Sequence, residues 1–497
     1  MKKYRFEFIL FIVEAVYMIL ELIASRVLSP YFGSSNLVWT SVIGIILLSS
    51  SAGNYFGGIL ADKKETNKKL KIILITAFIF VTIIPFVQNG IISFIADCFS
   101  DIRVGAIIST IILFFIPSLL VGSLSPIVLK LKLESMENAG ATSGRLQALT
   151  TLGGIFGTFF GGFYLIPQYG SIHILFLLAI VLLFMIPIVD WKLKAKEIVL
   201  ILLCTIILGT FMLYNIETNK YTGTQVKDGE YAGAVSYDTQ YGRVLIYNTE
   251  KDGEKVRILN IDSGYESATY VDEDKKYDLV FDHSSLYDLM YKANIEIKDT
   301  LLIGGAGYSY PKHYISKNPD KRMDVVEIDG EITEVAKEYF YLNDLIEEFD
   351  LENNKRLGLI TDDGRTYLNT NEKKYDIVMN DAFSGSTPPK TLTTIEAIKL
   401  VKKSLNDKGF YMLNVISALE GENSKFIKAE CNTLKQVFNN VYVIPVNPET
   451  PEIVQNSIVI ATDDFIDFEG TYDIEIPEET IIITDDYCPI DTLVPMY

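Results

Sequence analysis

Histidine, cysteine and positive charge are all scarce in this sequence, and each shortage excludes a class of function. Its 497 residues include 3 histidines and 4 cysteines, with no CxxC pair, so we expect no metal site. The formal net charge of −19 argues against a nucleic-acid partner, because binding phosphates requires a basic surface. Cys98, Cys204, Cys431 and Cys488 are predicted to be isolated thiols, with a bridge between Cys431 and Cys488 left open.

Long apolar runs fill the first part of the chain, whereas most acidic residues follow residue 225. A membrane span needs about 20 mostly apolar residues. Seven candidates approach or exceed this length: roughly 6–28, 37–60, 70–94, 104–130, 147–166, 171–189 and 197–214. The first run is too long for the apolar core of a cleavable signal peptide. The sequence therefore predicts a multi-pass α-helical membrane domain over residues 1–215, with the lipid bilayer as its partner.

Two glutamates interrupt the first apolar run. Glu14 and Glu21 are seven residues apart and therefore lie on one face of a helix. Carboxylates are costly inside a membrane and usually face protein or water. We expect either a site for a cation, or a structural pairing with Arg26 or with a polar group on another helix.

A stripe of small residues marks one later span. "LGGIFGTFFGGF" (152–163) places Gly153, Gly157 and Gly161 four residues apart. This spacing predicts close packing against another helix, because small residues let two helix backbones approach each other.

Strand and helix patterns replace the apolar runs after residue 215. Residues 216–297 are predicted to form a small β-rich unit, because "VSYDTQYGRVLIYN" and "KVRILNI" flank the Asp-Gly turn signal of "EKDGEK". Residues 298–497 alternate strands with helices, which predicts an α/β Rossmann-like domain with a mostly parallel sheet. The seven strand candidates are Thr300–Gly304, Asp324–Ile328, Gly358–Thr361, Asp376–Asp381, Phe410–Val415, Val441–Val446 and Ser457–Ala461.

Glycines end the first of these strands. "TLLIGGAGYSYPKHY" (300–314) places Gly304, Gly305 and Gly307 in a turn between a strand and a helix. No third glycine completes the dinucleotide fingerprint, so the turn alone does not identify its ligand.

Acidic residues end or follow the next three strands. Glu327 lies at the end of the second strand, Asp363 follows the third, and Asp381 ends the fourth. Ligands of such sheets bind beyond the carboxyl ends of the strands, so these carboxylates should share one crevice. They would repel a pyrophosphate and attract a cation. We therefore expect an S-adenosyl-type cofactor and a cationic substrate rather than NAD.

At these motifs the soluble half resembles the spermidine synthase family, over about residues 231–497. "LLIGGAGYSYPKHY", "DVVEIDGEITEVAKEYF", "TDDGRTYL" and "YDIVMNDAFSG" follow in the family's order. The membrane half looks like that of the fused, multi-pass members. The resemblance implies a methyltransferase-type fold and a membrane-bound aminopropyltransferase. Such an enzyme transfers an aminopropyl group from decarboxylated S-adenosylmethionine to putrescine or a related polyamine, without a metal.

The resemblance also implies roles for individual residues. The cofactor-binding set comprises Gly304, Gly305, Gly307, Glu327, Asp363 and Gly364. Glu327 would hold the ribose hydroxyls, and Asp363 with Gly364 would lie beside the adenine. Asp381 would orient the attacking amine and accept its proton, because an amine must be neutral to attack.

The chain departs from the family in the catalytic loop. Ser384 stands where the family commonly has a second acid, which weakens the inference of amine binding and turnover. Asp485 and Asp486 in the late segment "TDDYCPID" could replace that acid, or could belong to a polar C-terminal turn. The family's upstream tyrosine and histidine are not clearly matched, so Tyr277 and His283 receive no role.

Two other functions stay open at this stage. One is an S-adenosylmethionine-dependent methyltransferase on the same sheet. The other is a non-catalytic polyamine sensor or transporter, which Glu14, Glu21 and the missing second acid favour. A homo-oligomer is compatible with the sequence, which does not determine the oligomeric state.

Two arguments disagree about the side of the membrane on which the soluble half lies. Basic residues cluster at the N-terminus and in the loops after the second, fourth and sixth spans, which places the N-terminus in the cytoplasm. Seven spans would then put residues 215–497 outside. S-adenosyl cofactors, in contrast, are made in the cytosol. The charge pattern leans towards an extracytoplasmic domain.

Overall fold

The computed structural model describes most of the chain, in two compact units. The described residues are 4–32, 36–63, 66–99, 101–132, 139–189, 198–199, 201–210, 224–225, 234–262, 264–293, 295–383 and 387–495. The first unit comprises residues 1–225 with 235–243, and the second comprises residues 226–234 with 244–497. The first unit thus extends beyond the predicted boundary at residue 215, because a short strand pair, β1 (Thr224–Gln225) and β2 (Val235–Asp238), belongs to it.

Six helices of the first unit are long and apolar enough to cross a membrane. They are α1 (Arg5–Phe32), α2 (Asn36–Ala61), α3 (Thr66–Cys98), α4 (Ile102–Lys132), α5 (Ala139–Gln168) and α6 (Ser171–Val189). Single π-helical turns interrupt α4 at Ile111–Phe115 and α5 at Gly161–Leu165. The first six predicted spans are therefore present as helices. Of the seventh, the structure describes a helix of ten residues, α7 (Ile201–Thr210).

The predicted glycine stripe lies where α5 packs against α1. A Cβ atom on Gly153 would lie 2.2 Å from the main-chain oxygen of Phe11. A Cβ on Gly157 would lie 2.4 Å from that of Ala15. Any side chain at these positions would force the helices apart, so the stripe sets their separation.

Arg26 is not the partner of the two glutamates of α1. Its guanidinium donates instead to the main-chain oxygens of Thr239 and Gln240. Neither Glu14 nor Glu21 forms an ion pair with any residue that the structure describes. The predicted pairing with Arg26 is therefore wrong, and the cation site stays a prediction.

The second unit begins with the expected small β layer. Strands β3 (Arg243–Lys251), β4 (Glu254–Ile261) and β5 (Gly264–Tyr270) form an antiparallel meander. Asp252 and Gly253 connect the first two strands with φ of 53° and 81°. This left-handed pair matches the right-handed twist of a hairpin, as the Asp-Gly signal predicted.

A seven-stranded sheet forms the rest of the second unit and confirms every predicted strand. Its order is β11-β12-β10-β9-β6-β7-β8, and β12 alone runs antiparallel to its neighbours. The strands are β6 (Asp299–Ile303), β7 (Arg322–Glu327), β8 (Leu357–Thr361), β9 (Tyr375–Asn380), β10 (Leu405–Ser417), β11 (Asn440–Pro445) and β12 (Gln455–Thr462). The chain leaves β6 towards β7 and β8 and then returns to β9. The topological switch therefore lies between β6 and β9.

Helices precede, connect and follow the strands of this sheet. They are α8 (Asp282–Ser285), α9 (Ser309–Lys317), α10 (Gly330–Tyr339), α11 (Leu342–Glu348), α12 (Leu351–Asn354), α13 (Gly364–Thr370), α14 (Ile395–Ser404), α15 (Lys425–Lys435) and α16 (Ile490–Leu493). Short 3₁₀ turns lie at Glu273–Lys275, Leu286–Lys292, Lys390–Leu392 and Glu422–Ser424. One apolar core joins the sheet to α14 and α15, through residues such as Val378, Leu413 and Ile427.

The four cysteines are free thiols, as predicted. Cys431 lies on α15 and is buried in the core, and Cys488 is half-buried in the C-terminal segment. The bridge between these two residues that the sequence left open is not formed.

The glycine stripe can be tested by enlarging one of its members. We expect Gly157→Leu to lower the melting temperature of the detergent-solubilised chain, because overpacking typically costs about 1–3 kcal/mol. Gly162→Leu is the matched control, since a Cβ there meets nothing within 4 Å. Equal melting temperatures for the two variants would contradict the assigned contact.

Candidate active site

The end of β6 contacts the end of β9 through a glycine. Gly304 has φ of +96°, and a Cβ on it would lie 2.5 Å from the main-chain oxygen of Asp381. The main-chain nitrogen of Asp381 donates to the oxygen of Ile303 at 2.8 Å. Only glycine accommodates both this φ and this approach. The glycine turn and Asp381 therefore meet at the topological switch, where ligands of such sheets bind.

Glu327 fixes the glycine turn through hydrogen bonds to its main chain. Its Oε2 accepts from the main-chain nitrogens of Gly305 (2.8 Å) and Ala306 (2.9 Å), and its Oε1 accepts from that of Asp329 (3.0 Å). Burial raises the pKa of the Glu327 carboxyl, and these three donors oppose that rise. Three N–H groups use only part of a carboxylate's capacity, so Oε1 can accept one further hydrogen bond.

Asp363 and Gly364 begin the helix that follows β8. The Asp363 carboxylate caps α13 by accepting from the main-chain nitrogen of Thr366 at 2.9 Å. A Cβ on Gly364 would lie 2.6 Å from Cγ2 of Ile303. The pair therefore packs directly against the strand that carries the glycine turn.

Asp381 is oriented by a chain of two asparagine amides. Asn414 on β10 donates to Oδ1 of Asp381 at 3.0 Å, and Asn456 on β12 donates to Oδ1 of Asn414 at 3.1 Å. Side chains of neighbouring strands thus fix the Asp381 carboxylate at the carboxyl end of the sheet. Sequence reasoning missed both asparagines, because strand register decides which side chains lie opposite Asp381.

Tyr287 is a further residue that sequence reasoning missed. Its side chain is fully buried, and its hydroxyl has no hydrogen-bond partner among the described residues. Burial first, and then the Asp381 carboxylate, hold the pKa of the Tyr287 phenol well above its usual range. Tyr287 is therefore a neutral hydroxyl beside Asp381. The sequence placed Tyr287 in the helical segment before β6. Other tyrosines lie in the same region, so its position alone did not single it out.

The two residues that were left without roles differ in position. The Tyr277 hydroxyl donates to Glu348 at 2.8 Å, which is a structural contact. Burial lowers the pKa of the His283 imidazole, and the charge of Asp381 opposes that shift.

The proposed replacements for the second acid have other contacts. Ser384 lies outside the described residues. Asp485 pairs with Arg365 at 2.7 Å and accepts from Oγ1 of Thr394 at 2.6 Å. Asp486 is exposed. The C-terminal segment thus ties α13 to α14, and the substrate-binding role of Ser384, Asp485 and Asp486 stays a prediction.

The comparisons with known proteins each cover part of this chain. Residues 279–469 match the family model of the spermine/spermidine synthase domain. The polyamine aminopropyltransferase of Vibrio vulnificus is 28% identical over 235 residues, which are 46% of this chain and 69% of that protein. The eEF1A lysine and N-terminal methyltransferase homolog of Drosophila melanogaster is 26% identical over 172 residues, covering 33% of this chain and 24% of that protein.

A solved structure gives a similar comparison. The crystal structure of a probable spermidine synthase from Corynebacterium glutamicum is 20% identical and has a TM-score of 0.39. The match covers 46% of this chain and 80% of that one.

The role of Glu327 can be tested by removing its charge. We expect Glu327→Gln to weaken binding of decarboxylated S-adenosylmethionine, the co-substrate that the sequence resemblance implies, by about 10- to 100-fold in calorimetry, because hydrogen bonds to charged groups contribute about 1.5–3 kcal/mol. Glu334→Gln, on the exposed side of α10, is the control. Unchanged affinity in Glu327→Gln would move the ligand away from this turn.

Proposed function

We propose, from the premise that residues 279–469 belong to the spermine/spermidine synthase family, that this chain is a membrane-bound polyamine aminopropyltransferase. It would transfer an aminopropyl group from decarboxylated S-adenosylmethionine to putrescine or a related amine. One observation carries the proposal: Asp381 and the glycine turn are in main-chain contact at the ends of two adjacent parallel strands.

The residues at this edge fit the proposed co-substrate. The absent side chain of Gly304 lets the turn contact the main chain of Asp381. Glu327 keeps acceptor capacity for a ribose hydroxyl, and Asp363 with Gly364 would lie along the adenine. Carboxylates at this edge attract a cationic sulfonium. When bound, the co-substrate supplies a carbon that is activated by its positively charged sulfur.

The chain's own residues would prepare the amine for attack. An aliphatic amine is mostly protonated at neutral pH and attacks only as the free base. The Asp381 carboxylate would bind the amine N–H groups, orient the nitrogen lone pair and favour loss of the proton. Asn414 keeps that carboxylate in one rotamer, and Tyr287 offers a neutral hydroxyl beside it.

A methyltransferase is the second candidate. The similarity to the Drosophila methyltransferase homolog, which extends over 172 residues, favours it. The two functions differ in the form of the co-substrate. Stabilisation of the chain by S-adenosylmethionine rather than by its decarboxylated form would favour the methyltransferase.

We also propose that the second unit lies on the cytoplasmic side of a membrane. Six helices with a cytoplasmic N-terminus return the chain to the cytoplasm, where the co-substrate is made. This placement differs from the seven-span expectation, which led outside.

The proposed reaction can be tested on the full-length protein. We expect release of methylthioadenosine from decarboxylated S-adenosylmethionine with at least one amine of a panel that includes putrescine. Asp381→Asn should lower this rate by about 10²–10⁴-fold while leaving co-substrate binding nearly intact. Asp407 is an exposed acid near the amino-terminal end of β10, and we expect Asp407→Asn to have the same rate as the parent. An Asp381→Asn variant as fast as the parent would remove its assigned role.

Sidedness can be tested by reporter fusions just after Tyr221. We expect a fluorescent-protein fusion to be bright and an alkaline phosphatase fusion to be silent, because phosphatase folds only outside the cytoplasm. The opposite pair of results would establish an odd number of spans and an extracytoplasmic second unit.

A further inference from the structure

A cavity of the first unit lies between α1 and α5. Its volume is about 530 Å³, and most of its wall is apolar, with Phe8 and Phe11 of α1 on one side and Leu149 and Leu152 of α5 on the other. Beyond it, the main-chain contact of Phe11 with Gly153 brings the two helices together. Phe8 and Leu152 are also exposed on the surface of the unit. If these helices span a membrane, the cavity is an apolar slot that faces lipid.

Charged side chains lie at the end of this cavity where the helices begin. Glu7, in the first turn of α1, and Arg145 of α5 both line it. Oε1 of Glu7 is 3.1 Å from Nη2 of Arg145 and 2.9 Å from Nζ of Lys132, the last residue of α4. The start of α1, the end of α4 and the first turns of α5 therefore meet at one face of the helix bundle. Two cations and one anion leave a positive net charge there.

Glu7 is only partly satisfied by its two cations. Both contact Oε1, whereas Oε2 is buried and has no hydrogen-bond partner among the residues that the structure describes. A buried carboxylate oxygen without a donor is costly. Because Glu7 lines the cavity, a ligand in the cavity can supply the missing donor.

Arg145 has donors left for an anion. A guanidinium carries five N–H groups. Within the described part of the chain, Arg145 places one of them on Glu7, and its side chain is 57% exposed. Its charge also lies 5.5 Å from the centre of the Tyr4 ring, which holds the guanidinium beside the cavity. Arginine binds phosphate through two parallel N–H groups, so a phosphate is the anion that suits this position.

Phosphatidylethanolamine carries all the groups that these side chains require. Its acyl chains suit the apolar walls, its phosphate suits Arg145, and its primary ammonium can donate to Oε2 of Glu7. Phosphatidylcholine has the same phosphate but methyl groups in place of the N–H donors. Phosphatidylglycerol has a net negative charge, which the Glu7 carboxylate opposes. Basic pockets between transmembrane helices are known positions for lipid head groups.

We propose that this cavity binds one molecule of phosphatidylethanolamine, with its phosphate on Arg145 and its ammonium on Glu7. The lipid fills the space that α1 and α5 leave before the glycine stripe brings them together. This site rests on the placement of the six helices in a membrane, and it does not depend on the proposed reaction.

The test is lipid retention by the full-length protein in native mass spectrometry. The detergent-solubilised protein is mixed with equal amounts of phosphatidylethanolamine and phosphatidylcholine that carry identical acyl chains. We expect the parent to retain one phosphatidylethanolamine with a preference of about 10-fold or more, because hydrogen bonds to charged groups are strong. Arg145→Gln should lower retention of both lipids by about 10-fold, since both carry the phosphate. Arg103→Gln is the matched control, because Arg103 is 53% exposed and also pairs with an acid, Asp101.

A second variant leaves the charged cluster untouched. Ala148 lines the cavity and is exposed, so Ala148→Trp should fill the cavity and abolish lipid retention without disturbing the core. Full retention by Ala148→Trp, or equal retention by Arg145→Gln and Arg103→Gln, would place the lipid elsewhere on the bundle.

The lipids themselves provide the remaining outcomes. Equal retention of phosphatidylethanolamine and phosphatidylcholine by the parent would refute the contact with Glu7. A preference for phosphatidylglycerol over phosphatidylethanolamine would assign the cavity to an anionic lipid and overturn the proposal. Methylthioadenosine release is measured separately, so failure of the lipid site and failure of the proposed reaction are distinguishable.

Discussion

The contact between the main chains at Gly304 and Asp381 is the constraint on which the site depends. Two parallel strands can bring their ends this close only where one residue has no side chain and tolerates a positive φ. The contact places the glycine turn beside the carboxylate, and Glu327 then fixes the turn by accepting two of its N–H groups. A buried carboxylate of this kind would be costly without those donors, so turn and acid stabilise each other.

Asp381 lies within a polar network that spans three strands. The amides of Asn414 and Asn456 orient its carboxylate, whose charge adds to the effect of burial in raising the pKa of the Tyr287 phenol. A side chain held by neighbouring strands loses little entropy when a substrate binds, which is the physical basis of preorganisation.

The first unit has its own constraint. Gly153 and Gly157 allow α1 and α5 to pack with main-chain contact, so the separation of these helices is set by the absence of side chains. Glu14 and Glu21 lie on α1 without an ion pair among the described residues. Carboxylates in this situation need water or a ligand. They remain the feature of this unit that its packing does not explain.

The sequence by itself determined the elements of this protein. Seven buried strands, six long apolar helices, the Asp252-Gly253 turn and the glycine stripe all follow from local patterns, because periodicity and turn chemistry are properties of neighbouring residues. The positions of Glu327, Asp363 and Asp381 at strand ends follow as well, since the carboxyl ends of parallel strands lie on the same side of the sheet, where ligands bind.

Only the tertiary structure decided which side chains surround these acids. Strand register places Asn414 against Asp381 and Asn456 against Asn414, and Arg26 contacts residues more than 200 positions away. Such partners are separated along the chain, so no local pattern specifies them.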